Sequence, residues 1–385
     1  MPSIPPGIAS VPRLESWLAD NVADIPDRPV TVASVQLITG GRSNLTYRLV
    51  ISGSHGERVL VLRRPPLGHV LPTAHDMSRE YHVLSGLAGT RVPVARPLAI
   101  CTDTEIIGAP FYVMDFVSGQ VLRTREDAAV LTPAQAKQLS EGLAGMLATI
   151  HGVDLAATGL TDLGRGTGYL RRQLDRWQRQ WQLSATREVP GYEELVARLT
   201  ARLPEEGDIT LVHGDFRIDN VLVALSPQPR VAAVVDWEMA TLGDPLADLG
   251  LTLVYWTEAG EEGWLNPSPA PGEASAAVPG EASAAPGEAS AARSAAVGGV
   301  STDATVVPGF YTRAEFAADY ASRTGRDIAQ IEYYVAFGYF KLAVVLEGIN
   351  ARYLKRQTVG EGFDREGKAV PLLIARAHQV LDSLR

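Results

Sequence analysis

Three oxygen-bearing side chains have the spacing that phosphoryl transfer from a nucleotide requires. Asp215 lies five residues before Asn220, and Asp236 follows the apolar run Val231 to Val235. In this chemistry one carboxylate orients the attacking hydroxyl and accepts its proton, while an asparagine and a second aspartate bind Mg²⁺. The spacing therefore predicts Asp215 as the catalytic base, with Asn220 and Asp236 as metal ligands.

Either aspartate taken alone has a simpler explanation. Aspartate often ends a strand because its side chain hydrogen-bonds the backbone of the following turn, and both aspartates lie shortly after apolar runs. The three residues together, at the required spacing, favour the chemical interpretation. In the same segment we expect His213 to support the loop from a buried position rather than to catalyse. We expect Arg217 and Asp219 to face solvent or to lie behind the site residues.

The segment before residue 118 has the pattern of strands. Five strands are predicted, at 31–39, 45–52, 58–64, 95–102 and 111–117. The cluster Gly40 to Asn44 lies between the first two strands and predicts a hairpin turn. A helix is predicted to begin near Thr73, with Asp76 in the reciprocal capping position, and to end near Leu87. Residues 1–117 are thus expected to form a small α+β lobe.

Beyond Gly119 the apolar residues recur with the period of a helix. Helices are predicted at 132–151, 169–183, 192–203, 245–255, 331–349 and 370–384. Two short apolar runs, 221–223 and 231–235, are interpreted as a strand hairpin that brings Asn220 and Asp236 to one end. Residues 118–385 are therefore expected to form a larger, mainly helical lobe.

One segment of the second lobe has a different composition. The heptamer Pro-Gly-Glu-Ala-Ser-Ala-Ala occurs three times, beginning at Pro271, Pro279 and Pro286. Residues 266–308 contain almost no large apolar side chains, so their burial cannot offset the entropy lost on ordering. We predict a disordered insertion that is dispensable for the chemistry, with a regulatory or partner-docking role as the alternative.

The motifs of the second lobe resemble those of the aminoglycoside phosphotransferase-like family, which is similar to choline kinases and is a branch of the protein-kinase fold. His213-Gly214-Asp215 with Asn220 matches the family pattern, Asp236 matches its metal-binding aspartate, and Gly243-Asp244-Pro245 with Asp248 matches a further family element. The resemblance implies an α+β, two-lobed kinase-like fold, ATP and Mg²⁺ as cofactors, and a small-molecule substrate. It also implies that Asp248 braces the catalytic loop by hydrogen bonds.

The resemblance assigns further residues to nucleotide binding in the first lobe. Arg63 stands where kinases carry the phosphate-binding lysine of the third strand, and Glu80 on the next helix is its expected ion-pair partner. Arginine keeps the charge but differs from lysine in reach and geometry, so this position departs from the kinase pattern. The remaining expected contacts line the nucleotide from the strands, the turn and the link between the lobes: Val61, Gly41, Ser43, Asn44, Met114 and Phe116.

The acceptor of the phosphoryl group stays open at this point. The acidic residues Glu258, Glu261 and Glu262 would suit a polyamine antibiotic, and an apolar lining would suit an acyl chain. The segments 61–66 and 74–81 resemble the kinase-like domains fused to acyl-CoA dehydrogenases, which implies a hydroxyacyl or other lipid-derived substrate. An amino alcohol is the third possibility.

A binding module is the alternative to an enzyme. A non-catalytic kinase fold that binds nucleotide and docks a partner has no chemical need for Asp215, Asn220 and Asp236 together, which disfavours it. Protein kinase activity is disfavoured because no Ala-Pro-Glu segment follows Asp236.

Composition excludes several classes of protein. The 385 residues carry 44 acidic and 35 basic side chains, a net charge of −9, which argues against a nucleic-acid-coating protein. One cysteine, Cys101, excludes an intramolecular disulfide. No signal-peptide pattern and no apolar run of about 18 residues is evident, so we expect a cytoplasmic protein without a membrane span. The sequence predicts no particular oligomeric state.

Overall fold

A five-stranded antiparallel sheet forms the N-terminal lobe. The computed structural model describes residues 5–23, 25, 29–38, 44–53, 56–67, 76–261, 303–355 and 366–384. The sheet has the spatial order β1-β2-β3-β5-β4, with strands at Thr31–Leu37 (β1), Leu45–Gly53 (β2), Gly56–Arg64 (β3), Pro97–Cys101 (β4) and Phe111–Asp115 (β5). All five predicted strands are therefore present, with ends that differ by a few residues. The predicted turn residues Gly41 and Ser43 lie outside the described residues.

The two faces of the third strand contact different parts of the molecule. Leu60 and Leu62 are fully buried in the core of the sheet lobe, where they meet Tyr47 and Leu49 of β2. Because side chains alternate along a strand, Arg63 turns to the opposite face. There it faces helix α2, which spans Met77–Leu87.

The helices of the N-terminal lobe differ from the prediction in three places, one of which is the short helix α3, Thr104–Ile107, which was missed. Helix α1, Val11–Asn21, was missed; Ser10 caps it and Leu14 and Leu18 bury its inner face. Helix α2 begins at Met77 rather than near Thr73, because the carboxylate of Asp76 accepts hydrogen bonds from the first-turn backbone. Thr73 lies outside the described residues.

The larger lobe is mainly helical. Its helices are Arg125–Ala128 (α4), Pro133–Ile150 (α5), Tyr169–Ser184 (α6), Tyr192–Ala201 (α7), Pro245–Tyr255 (α8), Arg313–Thr324 (α9), Ile331–Leu354 (α10) and Glu366–Ser383 (α11). The short helix Thr104–Ile107 (α3) precedes them in the sheet lobe. Helix α10 is buried along most of its length and packs on α8, α6 and α11. All six predicted helices of this lobe are present; α4 and α9 were missed.

Two small strand pairs position the loops between these helices. Strands β7, Val221–Ala224, and β8, Arg230–Val234, form the predicted hairpin. Strand β6, Thr210–Val212, pairs with β9, Thr241–Gly243, so the segments before and after this hairpin are also joined. The fold is the predicted α+β kinase-like one; the lobe boundary after residue 117 stays a prediction.

The end of the predicted disordered insertion is ordered, which corrects that prediction. Residues 262–302 lie outside the described residues, but 303–308 do not. Ala304 and Val306 are buried, and the Thr305 hydroxyl donates to the Thr257 carbonyl at 2.7 Å. The Asp303 carboxylate accepts from the Arg125 amide at 3.0 Å. These contacts supply the burial that the repeat composition lacks.

None of the helices in the described ranges combines the length and the apolar character needed to cross a bilayer.

Candidate active site

The loop after β6 is held by one buried carboxylate. Asp248, in the first turn of α8, accepts the backbone amides of His213 at 2.6 Å and Gly214 at 2.9 Å, and the Nε2 of His151 at 3.3 Å. Burial acts to raise the pKa of Asp248, but the hydrogen bond and charge of His151, aided by His213, lower it overall. This is the position from which Asp248 was expected to brace the loop.

His213 is enclosed by backbone groups rather than open to a substrate. Its Nε2 lies 3.0 Å from the Val235 carbonyl, which can only accept, so Nε2 carries the proton. Its Nδ1 accepts the amide of Asp215 at 3.3 Å. The ring is fully buried and tilts against Trp237 with 4.6 Å between ring centroids. These contacts fit the supporting role expected for His213.

The three residues of the sequence motif meet at one end of the β7–β8 hairpin. The side-chain amide of Asn220 donates to the Asp215 carbonyl at 2.9 Å and to its carboxylate at 3.0 Å. The Val235 amide donates to the Asn220 carbonyl at 2.9 Å, and Asp236 lies two residues after the end of β8. Asp236 has a left-handed backbone, φ 66°, which turns the chain out of β8.

Electrostatics around Asp215 oppose its ionisation. Burial is the main cause that raises the pKa of Asp215, and the charges of Asp219 and Asp236 add to it, while Arg217 and Lys341 lower it. Asp236 contributes to this repulsion because both carboxylates belong to the same site.

The oxygen atoms left over in this cluster fit a hard divalent cation. The amide nitrogen of Asn220 is used on Asp215, and within the described residues its Oδ1 has no hydrogen bond. Asp236 uses Oδ1 on Arg63, and in the same part of the chain its Oδ2 has none, in a side chain 32% exposed. Carboxylate and amide oxygens are preferred Mg²⁺ ligands. No cluster of three or more His, Cys, Asp or Glu side chains is found among the described residues, and the present set contains only two carboxylates and an amide.

The cation of the third strand links the two lobes. Nε of Arg63 donates to Glu80 at 3.0 Å and its Nη2 to Asp236 at 2.6 Å. Glu80 is 2% exposed and pairs with the buried Arg63 guanidinium, so each of the two buried charges has a partner of opposite sign. Burial by itself would lower the pKa of Arg63, but the attraction of Glu80, with Tyr112 and Asp236, raises it above its ordinary value.

The other nucleotide-site candidates lie on the same face of the sheet or at its edge. Val61 is buried and pairs in register with Met114 on β5. Asn44, at the start of β2, donates to Glu238 at 3.1 Å. Phe116, just beyond β5, is 42% exposed, and the Arg48 guanidinium lies 5.8 Å from its ring centroid.

Two residues differ from the expectation that they face solvent. Arg217 and Asp219 have only 13% and 15% of their side chains exposed, and Nε and Nη2 of the Arg217 guanidinium donate to the two carboxylate oxygens of Asp219. The Arg217 guanidinium stacks 4.3 Å from the Tyr255 ring centroid. Burial and the adjacent Asp215 carboxylate raise the pKa of the Tyr255 hydroxyl. The solvent-facing alternative is therefore wrong, because Tyr255 and the ion pair cover each other beside Asp215.

Lys341 of α10 was missed by the sequence interpretation. Its Nζ donates to the Gly214 carbonyl at 2.7 Å, one residue before Asp215. The signal in the sequence is a single lysine between Phe340 and Leu342 in an otherwise apolar stretch. Nothing in the sequence alone connects that position with residue 214.

The acidic residues considered for a cationic substrate are already paired. Arg313 binds Glu258 at 3.1 Å and Glu261 at 2.5 Å, and Arg376 binds Glu261 from the other side at 3.1 Å. Glu262 lies outside the described residues. The described part of this surface therefore offers no run of unneutralised carboxylates to a polyamine.

The chain is similar in sequence to proteins of one known family. Residues 34–277 match the model of the phosphotransferase enzyme family, APH. Acyl-CoA dehydrogenase family member 11 of Gallus gallus is 34% identical over 364 residues, 91% of this chain but 42% of that protein. The chain thus spans about two fifths of that relative.

Solved structures share the fold over nearly the whole chain. A Ralstonia eutropha JMP134 protein provisionally assigned as an aminoglycoside phosphotransferase is 29% identical, with a TM-score of 0.74, covering 97% of this chain and 98% of that one. A thermostable mutant of aminoglycoside phosphotransferase APH(4)-Ia, in a ternary complex with ADP and hygromycin B, is 14% identical with a TM-score of 0.55, covering 96% and 98%. With the family match extending over more than half of its residues, the chain belongs to the phosphotransferase enzyme family.

Proposed function

We propose that this protein transfers the γ-phosphoryl group of ATP to a hydroxyl group of a small molecule. The observation that carries the proposal is the meeting of Asp215, Asn220 and Asp236 at one end of the β7–β8 hairpin, opposite the Arg63–Glu80 ion pair. A carboxylate, metal-binding oxygens and a buried cation on one site are the parts that phosphoryl transfer needs.

Each residue has a role in the proposed reaction. Asp215 orients the acceptor hydroxyl and takes its proton as the oxygen bonds to the γ-phosphorus and the bond to the ADP oxygen breaks. Asn220 Oδ1 and the Asp236 carboxylate would hold Mg²⁺, which neutralises phosphate charge when bound. Arg63, fixed by Glu80, binds the phosphates as a cation with several donors. Val61, Asn44, Met114 and Phe116 would line the nucleotide, with Gly41 and Ser43 of the turn.

The support for a nucleotide cofactor includes the related fold of APH(4)-Ia, which is known in complex with ADP. ATP rather than GTP is our choice of donor on the basis of family resemblance alone. Titration with each nucleotide compares ATP and GTP directly.

Among the acceptors, we favour a hydroxyacyl or related lipid-derived alcohol over an aminoglycoside. Glu258 and Glu261 are engaged by Arg313 and Arg376, which removes the acidic surface that a polycation would require. The similarity to an acyl-CoA dehydrogenase family member supports the same preference. An amino alcohol is less well supported because its cationic group would meet the same paired carboxylates.

Binding and turnover of nucleotide test the proposal. Calorimetric titration with ATP or GTP, with and without Mg²⁺, is expected to show Mg²⁺-dependent tightening for the wild type that D236N loses. D215N is expected to keep nucleotide binding but to lose about 100-fold or more in phosphoryl transfer, the range for a lost base. Transfer is measured as ADP release with a panel of hydroxyacyl thioesters, amino alcohols and aminoglycosides.

A matched control removes an aspartate of the same lobe that is far from this cluster. Asp162 is 79% exposed and contacts only His82 in the described structure, so D162N should match the wild type in binding and turnover. Full turnover by D215N would contradict the base assignment. Nucleotide binding that Mg²⁺ does not affect, with no turnover of any acceptor, would instead indicate the non-catalytic binding module.

A further inference from the structure

A lysine from the C-terminal part of the chain lies directly behind the catalytic loop. Lys341 is in the middle of α10, 127 residues from the loop, and its Nζ donates to the Gly214 carbonyl at 2.7 Å. The ammonium group also lies 5.7 Å from the ring centroid of Trp177 on α6. The residue therefore joins two helices of the large lobe to the peptide group that precedes Asp215.

Both polar atoms of the peptide group between Gly214 and Asp215 are hydrogen-bonded, and so is the Gly214 amide before it. Asp248 accepts the Gly214 amide, Lys341 donates to the Gly214 carbonyl, and the Asp215 amide donates to His213. A Cβ on Gly214, whose φ is +81°, would lie 2.7 Å from the Met239 carbonyl oxygen, so this backbone has little room to rotate. Of these contacts, the one from Lys341 holds the carbonyl, the group bonded directly to the Asp215 nitrogen.

Lys341 has no carboxylate within ion-pair distance in the described part of the chain. Its charge is instead balanced at longer range by Asp215 and Asp248, while burial lowers its pKa and Arg176 adds to that effect. A cavity of about 20 Å³, room for about one water, borders Lys341, Gly214 and Trp177, and the buried indole Nε1 of Trp177 has no hydrogen-bond partner among the described residues. A buried ammonium group is costly, and a stability role alone would be served as well by an apolar side chain.

We propose that Lys341 is a positioning residue for phosphoryl transfer, which orients Asp215 by holding the Gly214 carbonyl and which does not contact the nucleotide. The proposal rests on the proposed function, since Asp215 must be the residue that needs orienting. It gives helix α10, which is far from the catalytic loop in sequence, a part in the reaction.

The test compares variants that keep or remove the ammonium group. K341M has nearly the same length without a donor, K341R keeps charge and donors, and K341A leaves space for the missing propylammonium. We expect K341M to lower kcat for Mg²⁺-dependent ATP hydrolysis by about 10- to 100-fold, with the KM for ATP within about twofold of wild type. K341R should retain most of the activity, and added propylammonium chloride should restore part of it to K341A.

Two controls separate positioning from general damage. K355M removes a lysine from the exposed end of the same helix and should leave kcat unchanged. Tetramethylammonium chloride at the same concentration should not restore K341A, because it has no N–H to donate. A wild-type kcat in K341M, or a loss of kcat that neither arginine nor propylammonium relieves, would overturn the proposal.

Hydrogen exchange gives a readout that is independent of turnover. Amides of the segment 211–217 should exchange faster in K341M than in wild type, K341R or K355M, because the loop has lost one anchor. Unchanged exchange in this segment would overturn the positioning role. If the wild type turns over ATP neither with water nor with any acceptor of the panel, the proposed function fails, and the exchange experiment still decides whether Lys341 holds the loop.

Discussion

At the scale of single residues, the arginine of the third strand is the main departure from the kinase pattern. Arg63 donates in three directions: from Nε to Glu80 at 3.0 Å, from Nη1 to the Thr46 hydroxyl at 3.3 Å, and from Nη2 to Asp236 at 2.6 Å. A guanidinium group makes these contacts from one rigid plane, whereas an ammonium group is a compact point charge on a flexible stem. The lysine found at this position in kinases would not reproduce this network.

This geometry predicts that R63K is not conservative. We expect the KM for ATP to rise by about tenfold, because lysine reaches Glu80 or Asp236 but not both, and a lost charged hydrogen bond costs about 1.5 kcal/mol or more. Steady-state kinetics at saturating acceptor measure the KM for ATP of the wild type and R63K. R96K, at the exposed Arg96–Asp115 pair of the same lobe, should change nothing. An unaltered KM in R63K would show that the three contacts do not serve nucleotide binding.

At the scale of elements, the catalytic loop depends on a glycine that turns the chain beneath the hairpin. Gly214 has φ +81° and its backbone passes against Met239, where an added Cβ would be 2.7 Å from the carbonyl oxygen. Gly89, after α2, has nearly the same φ, +85°, but nothing within 4 Å of the position of its Cβ. Substitutions at the two glycines therefore separate the free-energy cost of a left-handed backbone from the cost of a steric clash with Met239.

We expect G89A to lower the free energy of unfolding by about 1 kcal/mol, the cost of a left-handed alanine. G214A should lower it by about 2 kcal/mol or more and should also reduce kcat, because relief of the clash must displace Asp215. Urea unfolding and turnover measure the two effects. Equal destabilisation by both substitutions, with kcat retained in G214A, would mean that the loop can shift without consequence.

The sequence predicts the elements of this site better than the contacts between them. Strand alternation and the spacing of Asp215, Asn220 and Asp236 are local properties, and the structure contains the hairpin they imply. Helix α1 was missed because its short amphipathic stretch is preceded by a proline-rich segment, and helix formation there depends on packing of Leu14 and Leu18. Local patterns carry no information about such tertiary burial.

Contacts made across long stretches of sequence are the second class that could not be predicted. Lys341 meets residue 214 and Arg376 meets Glu261 only because α10 packs on α8 and α11 packs on α10. The acidic residues Glu258 and Glu261 therefore suggested a polycation site by composition, although the fold supplies arginines to both. Whether a charged residue is free or paired is a tertiary property.

At the scale of the whole molecule, one buried histidine connects the core to the catalytic loop and should make stability depend on pH. His151 lies between the Tyr320 hydroxyl, 2.7 Å from Nδ1, and Asp248, 3.3 Å from Nε2, with Arg326 and Asp244 further away. Burial lowers the pKa of His151, which outweighs the opposing effect of Asp248. The folded protein therefore binds a proton at this ring less readily than the unfolded chain does.

This difference makes the folded protein less stable as the pH falls. The contribution of neutral His151 is complete above the unfolded pKa of about 6.5 and is lost as pH falls from there towards the lower folded pKa. We expect the Tm of wild type to fall more between pH 7.5 and 5 than the Tm of H151Q, in thermal melts at constant ionic strength. H82Q, at a histidine with 44% of its side chain exposed, should keep the wild-type slope. Parallel curves for wild type and H151Q would contradict this assignment.

The repeat-containing insertion belongs to the same scale, because the segment that follows it packs on other parts of the large lobe. Residues 262–302 lie outside the described residues, so their predicted dispensability stays a prediction. The segment that follows packs closely: Val306 is 5% exposed, Thr305 donates to Thr257, and Asp303 accepts from Arg125. A deletion through residue 308 would therefore remove core contacts together with the repeats.

Two replacements by glycine–serine linkers of equal length separate these contributions. Replacing 266–301 should change the free energy of unfolding by no more than about 0.5 kcal/mol, as expected for a segment whose sequence contains almost no large apolar side chains. Replacing 266–308 should cost about 2 to 4 kcal/mol, because it removes the buried Val306 side chain and the hydrogen bonds that Thr305 and Asp303 make to Thr257 and Arg125. Urea unfolding measures both. A large loss in the first replacement would show that the repeats themselves pack on the lobe, and equal small losses would show that Ala304 to Val306 contribute little despite their burial.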